Sequence, residues 1–164
     1  MKEKKFYLTK EGLKKIQREL KILLALRSKK AQGEIPKILE SEEVNPEYLS
    51  FQEDLEIVET RIADLKQILK YTQIITPPSP EKQGIVNLGA TVLVKMDDQT
   101  DEFEIVGTLE ANPSLGKISN ESLVGKSLIG HRVGDEVEIQ SSVPMVYKIL
   151  KINYNYLKMK KNEG

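Results

Sequence analysis

Between Tyr48 and Leu69, apolar residues recur at Tyr48, Phe51, Leu55, Val58, Ile62, Leu65 and Leu69, in alternating steps of three and four. This is the spacing of a coiled-coil seam. A single helix of this length cannot hold such a seam in water, so a partner must cover it. The first third of the chain offers one at Leu13, Ile16, Leu20 and Leu23. The pattern therefore predicts an antiparallel helical hairpin. At 1.5 Å of rise per residue its second arm would be roughly 30 Å long, carrying the connection between the arms far from the rest of the chain.

The ends of the arms can be read from local chemistry. Thr9 suits a helix N-cap, because its hydroxyl can accept from a free amide of the first turn, with Glu11 and Gly12 inside that turn. Gly33 and Pro36 predict a break beyond the basic cluster of Arg27, Lys29 and Lys30. Asn45 and Pro46 read as the cap and first turn of the second arm, which is expected to end at Tyr71 to Ile75. Thr76-Pro77-Pro78-Ser79-Pro80 can be neither helix nor central strand and marks a boundary.

Beyond the prolines the period changes to that of strands. Ala90 to Met96 and Glu102 to Val106 form a predicted β-hairpin around a polar turn. Lys117 to Ser119 reads as a short strand, Ser122 to Ile129 as a short helix stopped by Gly130, and Glu136 to Gln140 and Met145 to Asn153 as two further strands. The reading is α+β: a coiled-coil hairpin over 1–76, a proline-rich linker over 77–84, a small antiparallel-sheet domain over 85–157 and a basic tail over 158–164.

The 25 basic residues balance the 25 acidic ones, so only their distribution is informative. Met1 to Lys37 carries 12 Lys or Arg against 4 acids, whereas Ile38 to Thr60 carries 8 acids and no Lys or Arg. A basic arm and an acidic tip result. Arg27, Lys29 and Lys30 could contact phosphates or the wall of a channel, and a solvated helix face predicts the same composition. The absence of cysteine excludes disulfides, zinc-thiolate sites and thiol catalysis. No apolar run approaches the roughly 20 residues of a membrane span, so the expected location is cytoplasmic. His131, the single histidine, reads as a surface residue.

Several short motifs fall in a telling order. Leu8-Thr9-Lys10-Glu11-Gly12-Leu13 with Glu19-Leu20 opens the chain, and Asn45-Pro46-Glu47-Tyr48 is followed by Glu59-Thr60-Arg61-Ile62. Gly89-Ala90-Thr91-Val92, Ile105-Val106-Gly107, Glu110-Ala111, Ile118-Ser119, Ser122, Leu128-Ile129-Gly130 and Gly134-Asp135-Glu136-Val137 come after them. Together they resemble the Gre (GreA/GreB) family of bacterial transcription elongation factors over nearly the whole chain. The resemblance implies an N-terminal coiled-coil finger and a C-terminal domain of the FKBP-like fold. It also implies a monomeric accessory factor, not an enzyme, with no membrane partner. Its partner would be RNA polymerase in the elongation complex, with indirect contact to nascent RNA. No cofactor would be bound permanently, and Mg2+ would be shared with the polymerase active site.

In cleaving members of that family, two tip acids help the polymerase cut backtracked RNA. Mg2+ prefers hard oxygen ligands, which accounts for the residue type. The family's Gly-Asp-Leu-x-Glu-Asn pattern, anchored on Asn45, sets its acids opposite Ser41 and Val44. Glu42 and Glu43 are then the candidate tip carboxylates. Two expectations follow: a cleavage factor acting through Glu42 and Glu43, or a channel-binding regulator or inhibitor that does not stimulate cleavage. A prolyl isomerase is disfavoured, because the second domain offers only Phe103, Tyr147, Tyr154 and Tyr156 for an aromatic pocket. A coiled-coil adaptor is disfavoured by the motifs of the second domain.

Overall fold

A computed structural model describes residues 4–33 and 46–155, with side chains from residue 49 onward in the second stretch. Contacts divide the chain into two compact units, one formed by 13–71 and the other by 4–12 together with 72–155.

The first unit holds most of α1 (Lys10–Gln32) and all of α2 (Pro46–Lys70). Among the described residues, ion pairs cross between them from Arg61 to Glu19 at 2.7 Å, Arg27 to Glu59 at 3.4 Å and Lys30 to Asp54 at 3.2 Å. Partners rise in number along one helix and fall along the other, so the arms are antiparallel. The seam is buried at Val58, Ile62, Leu65 and Ile68, while Phe51 and Leu55 are half-buried. In the last turn Ile68, not Leu69, is the buried residue, since the seam there advances by three residues and not four. Gly33 follows the last residue of α1 and donates its amide to the Lys29 carbonyl at 3.0 Å, as a terminating glycine does. The break expected at Pro36 lies outside the described residues.

The second unit contains a five-stranded sheet in the order β5-β4-β3-β7-β6. Its strands are β3 (Ala90–Met96), β4 (Gln99–Val106), β5 (Lys117–Ser119), β6 (Glu136–Ile139) and β7 (Met145–Tyr154). Alternation explains the core: Ala90, Val92 and Val94 on β3 are buried, as are Val137 and Ile139 on β6, every second side chain facing one side. A register shift between Leu93 and Val94 moves the partners on β7 from Lys151 to Ile149 and leaves Leu150 over, the geometry of a β-bulge. Helix α3 (Leu123–Leu128) is capped by Ser122, whose hydroxyl accepts from the Gly125 amide at 3.1 Å. Buried Leu128 joins the same core.

The class is α+β, as the sequence predicts, but the sheet is not antiparallel throughout. β4 and β5 run parallel. Between them the chain makes two 3-10 turns, Thr108–Glu110 and Pro113–Leu115, and this ten-residue excursion brings β5 back in the direction of β4. A second parallel pair was not legible in the sequence: β1 (Phe6–Leu8) lies beside β2 (Thr72–Ile74), with Leu8 opposite Ile74. The second arm therefore stops at Lys70, and Thr72 to Ile74 form a strand. The sequence reading divides the chain at 76/77, whereas the compact units divide at 12/13 and 71/72, because this pairing ties the first strand into the sheet unit. Within that unit the Gln83 side chain donates to the Pro78 carbonyl at 3.1 Å.

Candidate functional site

The chemistry expected of the hairpin concentrates at its far end. Glu42 and Glu43 lie outside the described residues, as do Ser41 and Val44. The basic cluster is described, and the structure separates its members. Arg27 and Lys30 are committed to Glu59 and Asp54 on the facing helix. Lys29 is exposed and has no ion pair among the described residues. Lys29 and Lys30 occupy the last turn of α1, where a cation interacts favourably with the carbonyl end of the helix. A solvated, partly paired helix face accounts for two of the three cations.

Along α2, Glu53, Glu56, Ile57, Thr60, Arg61 and Asp64 line a shallow, open groove on one face. The hydrogen bond to Glu19 holds the Arg61 guanidinium even more firmly protonated than usual. Ile57 stands 69% exposed in this acidic strip. Among the described residues no group of three or more His, Asp or Glu side chains converges as a metal site. A pair of carboxylates such as Glu42 and Glu43 has the hard-oxygen character Mg2+ requires, though two ligands leave most of its coordination sphere to other donors.

In the sheet unit, polar groups gather where β4 gives way to the first 3-10 turn. The Thr108 hydroxyl donates to Glu121 at 2.6 Å and lies 2.8 Å from the Ser119 hydroxyl, which accepts from the Glu121 amide at 3.0 Å. Beside this network is a small cavity of about 80 Å3, bordered by Lys5, Tyr7, Thr108, Leu109, Asn120 and Glu121. Glu110 turns the other way: one carboxylate oxygen accepts the Thr9 amide at 2.7 Å and the other the Thr9 hydroxyl at 2.5 Å. In the sequence Glu110 stands out only within Glu110-Ala111, one of the motifs of the family resemblance, which assigns it no partner. His131 is partly exposed, as expected, and its Nδ1 is 3.2 Å from the Asp135 carboxylate. The Arg132 amide, which donates to Asp135 at 2.8 Å, and then His131 hold that carboxyl below the usual aspartate range.

Comparison with known proteins places these two units. Residues 6–74 match the family model described as "Transcription elongation factor, N-terminal", and residues 81–154 match "Transcription elongation factor, GreA/GreB, C-term". The chain belongs to the GreA/GreB family. A transcription elongation factor GreA of Clostridium acetobutylicum is 41% identical over 157 residues, covering 92% of this chain and 98% of that protein. A second, of Thermomicrobium roseum, is 34% identical over 136 residues, 82% of this chain and 87% of the relative. Among solved structures the chain is similar to GreA factor homolog 1 of Thermus thermophilus, with 23% identity, 92% and 99% coverage of the two chains and a TM-score of 0.40. The family assignment does not rest on that last likeness. Both GreA/GreB modules are thus present in order, the first spanning β1 to β2 and the second containing the five-stranded sheet. Among the described residues, no helix of this GreA/GreB-family chain is long and apolar enough to cross a membrane.

Proposed function

We propose that the chain is a Gre-type elongation factor: a cytoplasmic monomer that binds RNA polymerase, inserts its coiled-coil tip into the secondary channel and promotes cleavage of backtracked RNA. The observation that carries this reading is the pairing of both family modules along one chain, over 6–74 and 81–154. The factor is an accessory and brings ligands to an active site that belongs to the polymerase. Glu42 and Glu43 are the tip carboxylates that would reach it, in indirect contact with the nascent RNA. A shared Mg2+ supplies charge stabilisation and an activated water to phosphodiester hydrolysis. The chain's own residues present anionic oxygens and hold them in place. Lys29, outside the ion pairs among the described residues, is the cation of the basic cluster best placed to meet phosphate or the channel wall.

A transcript-cleavage assay on a backtracked complex, with polymerase from the same organism, tests the reading. Replacing Glu42 and Glu43 by alanine should abolish cleavage and leave polymerase binding nearly intact, since the carboxylates act chiefly at the transition state. A double variant that cleaves at the native rate would exclude both residues and leave Glu40 or Glu47. Ser41 and Val44, at the family's acidic positions, favour a second reading in which the chain enters the channel and slows nucleotide addition without cleaving. Slowed addition with no shortened RNA would select it.

A further inference from the structure

We infer that one face of the hairpin is a self-association surface, through which two copies of this chain pair into a four-helix bundle when they are free of polymerase. Lys15, Glu19, Ile22, Leu26 and Lys29 follow one another along α1 in steps of four and three, so they share one stripe of that helix. On α2 the same spacing joins Glu53, Ile57, Thr60 and Asp64. The ion pair from Arg61 to Glu19, at 2.7 Å, ties the first stripe to the flank of the second, so both lie on the same side of the hairpin. Large apolar side chains stand open on each: Ile22 is 67% exposed, Ile57 69% and Leu26 39%. Lys15, Lys29, Glu53, Glu56 and Asp64 are exposed around them, and among the described residues no ion pair engages these five.

The crossing ion pairs fix the levels of the two stripes. Lys30 meets Asp54 and Glu19 meets Arg61, so Lys29 stands level with the stretch from Glu53 to Glu56, and Ile22 and Leu26 with the turns around Ile57 and Arg61. Lys15, one turn before Glu19, stands near Asp64, one turn after Arg61. A second copy turned about a twofold parallel to the long axis of the hairpin lays its α2 over the first copy's α1 without changing these levels. Lys15 then meets Asp64, Ile22 and Leu26 meet Ile57, and Lys29 meets Glu53 and Glu56, every contact being made twice. Each α1 runs antiparallel to the α2 it covers, as neighbours do in an up-and-down four-helix bundle. A twofold across the hairpin would instead set α1 on α1 and α2 on α2, opposing lysine to lysine and glutamate to glutamate, so charge selects the first arrangement. A face that is basic along one helix and acidic along the other, in register, is complementary to itself and to no partner of uniform charge. The patch is small, so pairing is weak and reversible. The monomer of the proposed function is its dissociated form, and pairing needs only the hairpin, whatever the chain does on polymerase.

Sedimentation velocity on the full chain at low salt, from about 1 μM to about 1 mM, reads the monomer–dimer equilibrium. The wild type should move toward twice the monomer mass across that range, and less so in about 1 M salt, where charges are screened. Lys15→Glu and Asp64→Lys, each alone, set like charges together at both symmetric contacts and should weaken association by on the order of tenfold or more. An equimolar mixture of these two variants restores opposite charges at both contacts and should associate within about threefold of the wild type. Ile57→Glu, at a position exposed within one copy, should abolish pairing by burying an unpaired charge, with circular dichroism checking that the helices persist. Should that variant lose helix, the mixture still decides. A wild type that stays monomeric at about 1 mM overturns the inference. Association that ignores all three substitutions, or a mixture that associates no better than its components, overturns it equally by moving the contact elsewhere. A chain that pairs as expected and has no effect on transcription would overturn the elongation-factor reading and leave the pairing standing.

Discussion

The two units are held together by different physics. In the sheet unit Val86, Ala90, Val92, Val94, Ile105, Leu128, Ile139 and Ile149 are all 0% exposed and form one cluster, the close-packed interior that supplies most of a domain's stability. Among the described residues of the hairpin, burial is confined to Val58, Ile62, Leu65 and Ile68, and Phe51 and Leu55 are covered only in part. Three partly exposed ion pairs supplement the seam, each contributing about 0.2–1 kcal/mol. Local opening should therefore concentrate in the hairpin.

Truncation should break this contrast most severely. Residues 77–155 alone lack β1 and β2, whereas a version keeping 4–12 and 72–155, joined by a short glycine-rich linker, preserves the Leu8–Ile74 pairing and the close approach of Gly107 to the Tyr7 carbonyl. The shorter piece should be less stable by more than the roughly 2–5 kcal/mol of one buried leucine, read from denaturant midpoints. Equal midpoints would return β1 to the hairpin. Next in size, Ile149→Ala in the centre of β7 should destabilise the sheet unit by about 2–5 kcal/mol. Leu55→Ala, on the half-covered part of the seam, should cost no more than about 1–2 kcal/mol. Hydrogen exchange resolves the two units separately, and similar losses at both sites would erase the distinction drawn here.

Much of this was legible because long elements advertise their period. The alternating steps from Tyr48 to Leu69 indicated the second arm, and the alternation in Ala90 to Met96 gave β3 its observed bounds. What stayed hidden lacked a local signal. β1 and β2 are three residues each and pair across the whole hairpin, so neither is long enough to show alternation, and Thr72 to Ile75 simply continued a helical pattern. Glu110 belonged to a motif of the family resemblance, but its partner Thr9 became visible only in the fold. The parallel β4–β5 edge depends on the path of a turn-rich excursion, which composition does not encode. In the basic cluster only tertiary pairing distinguishes Lys29 from Arg27 and Lys30.

A smaller effect separates the units by salt. Arg61→Ala removes the shortest of the three interhelical ion pairs, and both side chains are nearly half-exposed, so about 0.2–1 kcal/mol is expected. The loss should shrink toward zero near 1 M salt, where screening acts over about 3 Å. Hairpin amides should register it and those of β3 and β7 should not.

The smallest effect is acid dependence at Asp135, which lies in the sheet unit and so reverses the pattern of the ion pairs. The Arg132 amide, and then His131, stabilise the ionised carboxylate and depress its folded pKa. A depressed carboxylate stabilises the fold above the unfolded value of about 3.9, and that contribution disappears as pH falls through the lower folded value. Asp135→Asn should accordingly change the thermal midpoint by no more than about 2 °C at neutral pH, because the group is solvent-accessible and water screens its interactions. Below pH 4 the variant and the wild type should converge, since protonation has already removed what the substitution removes. A difference that widened on acidification would reverse the sign of the linkage and assign the bond with Arg132 to the neutral acid.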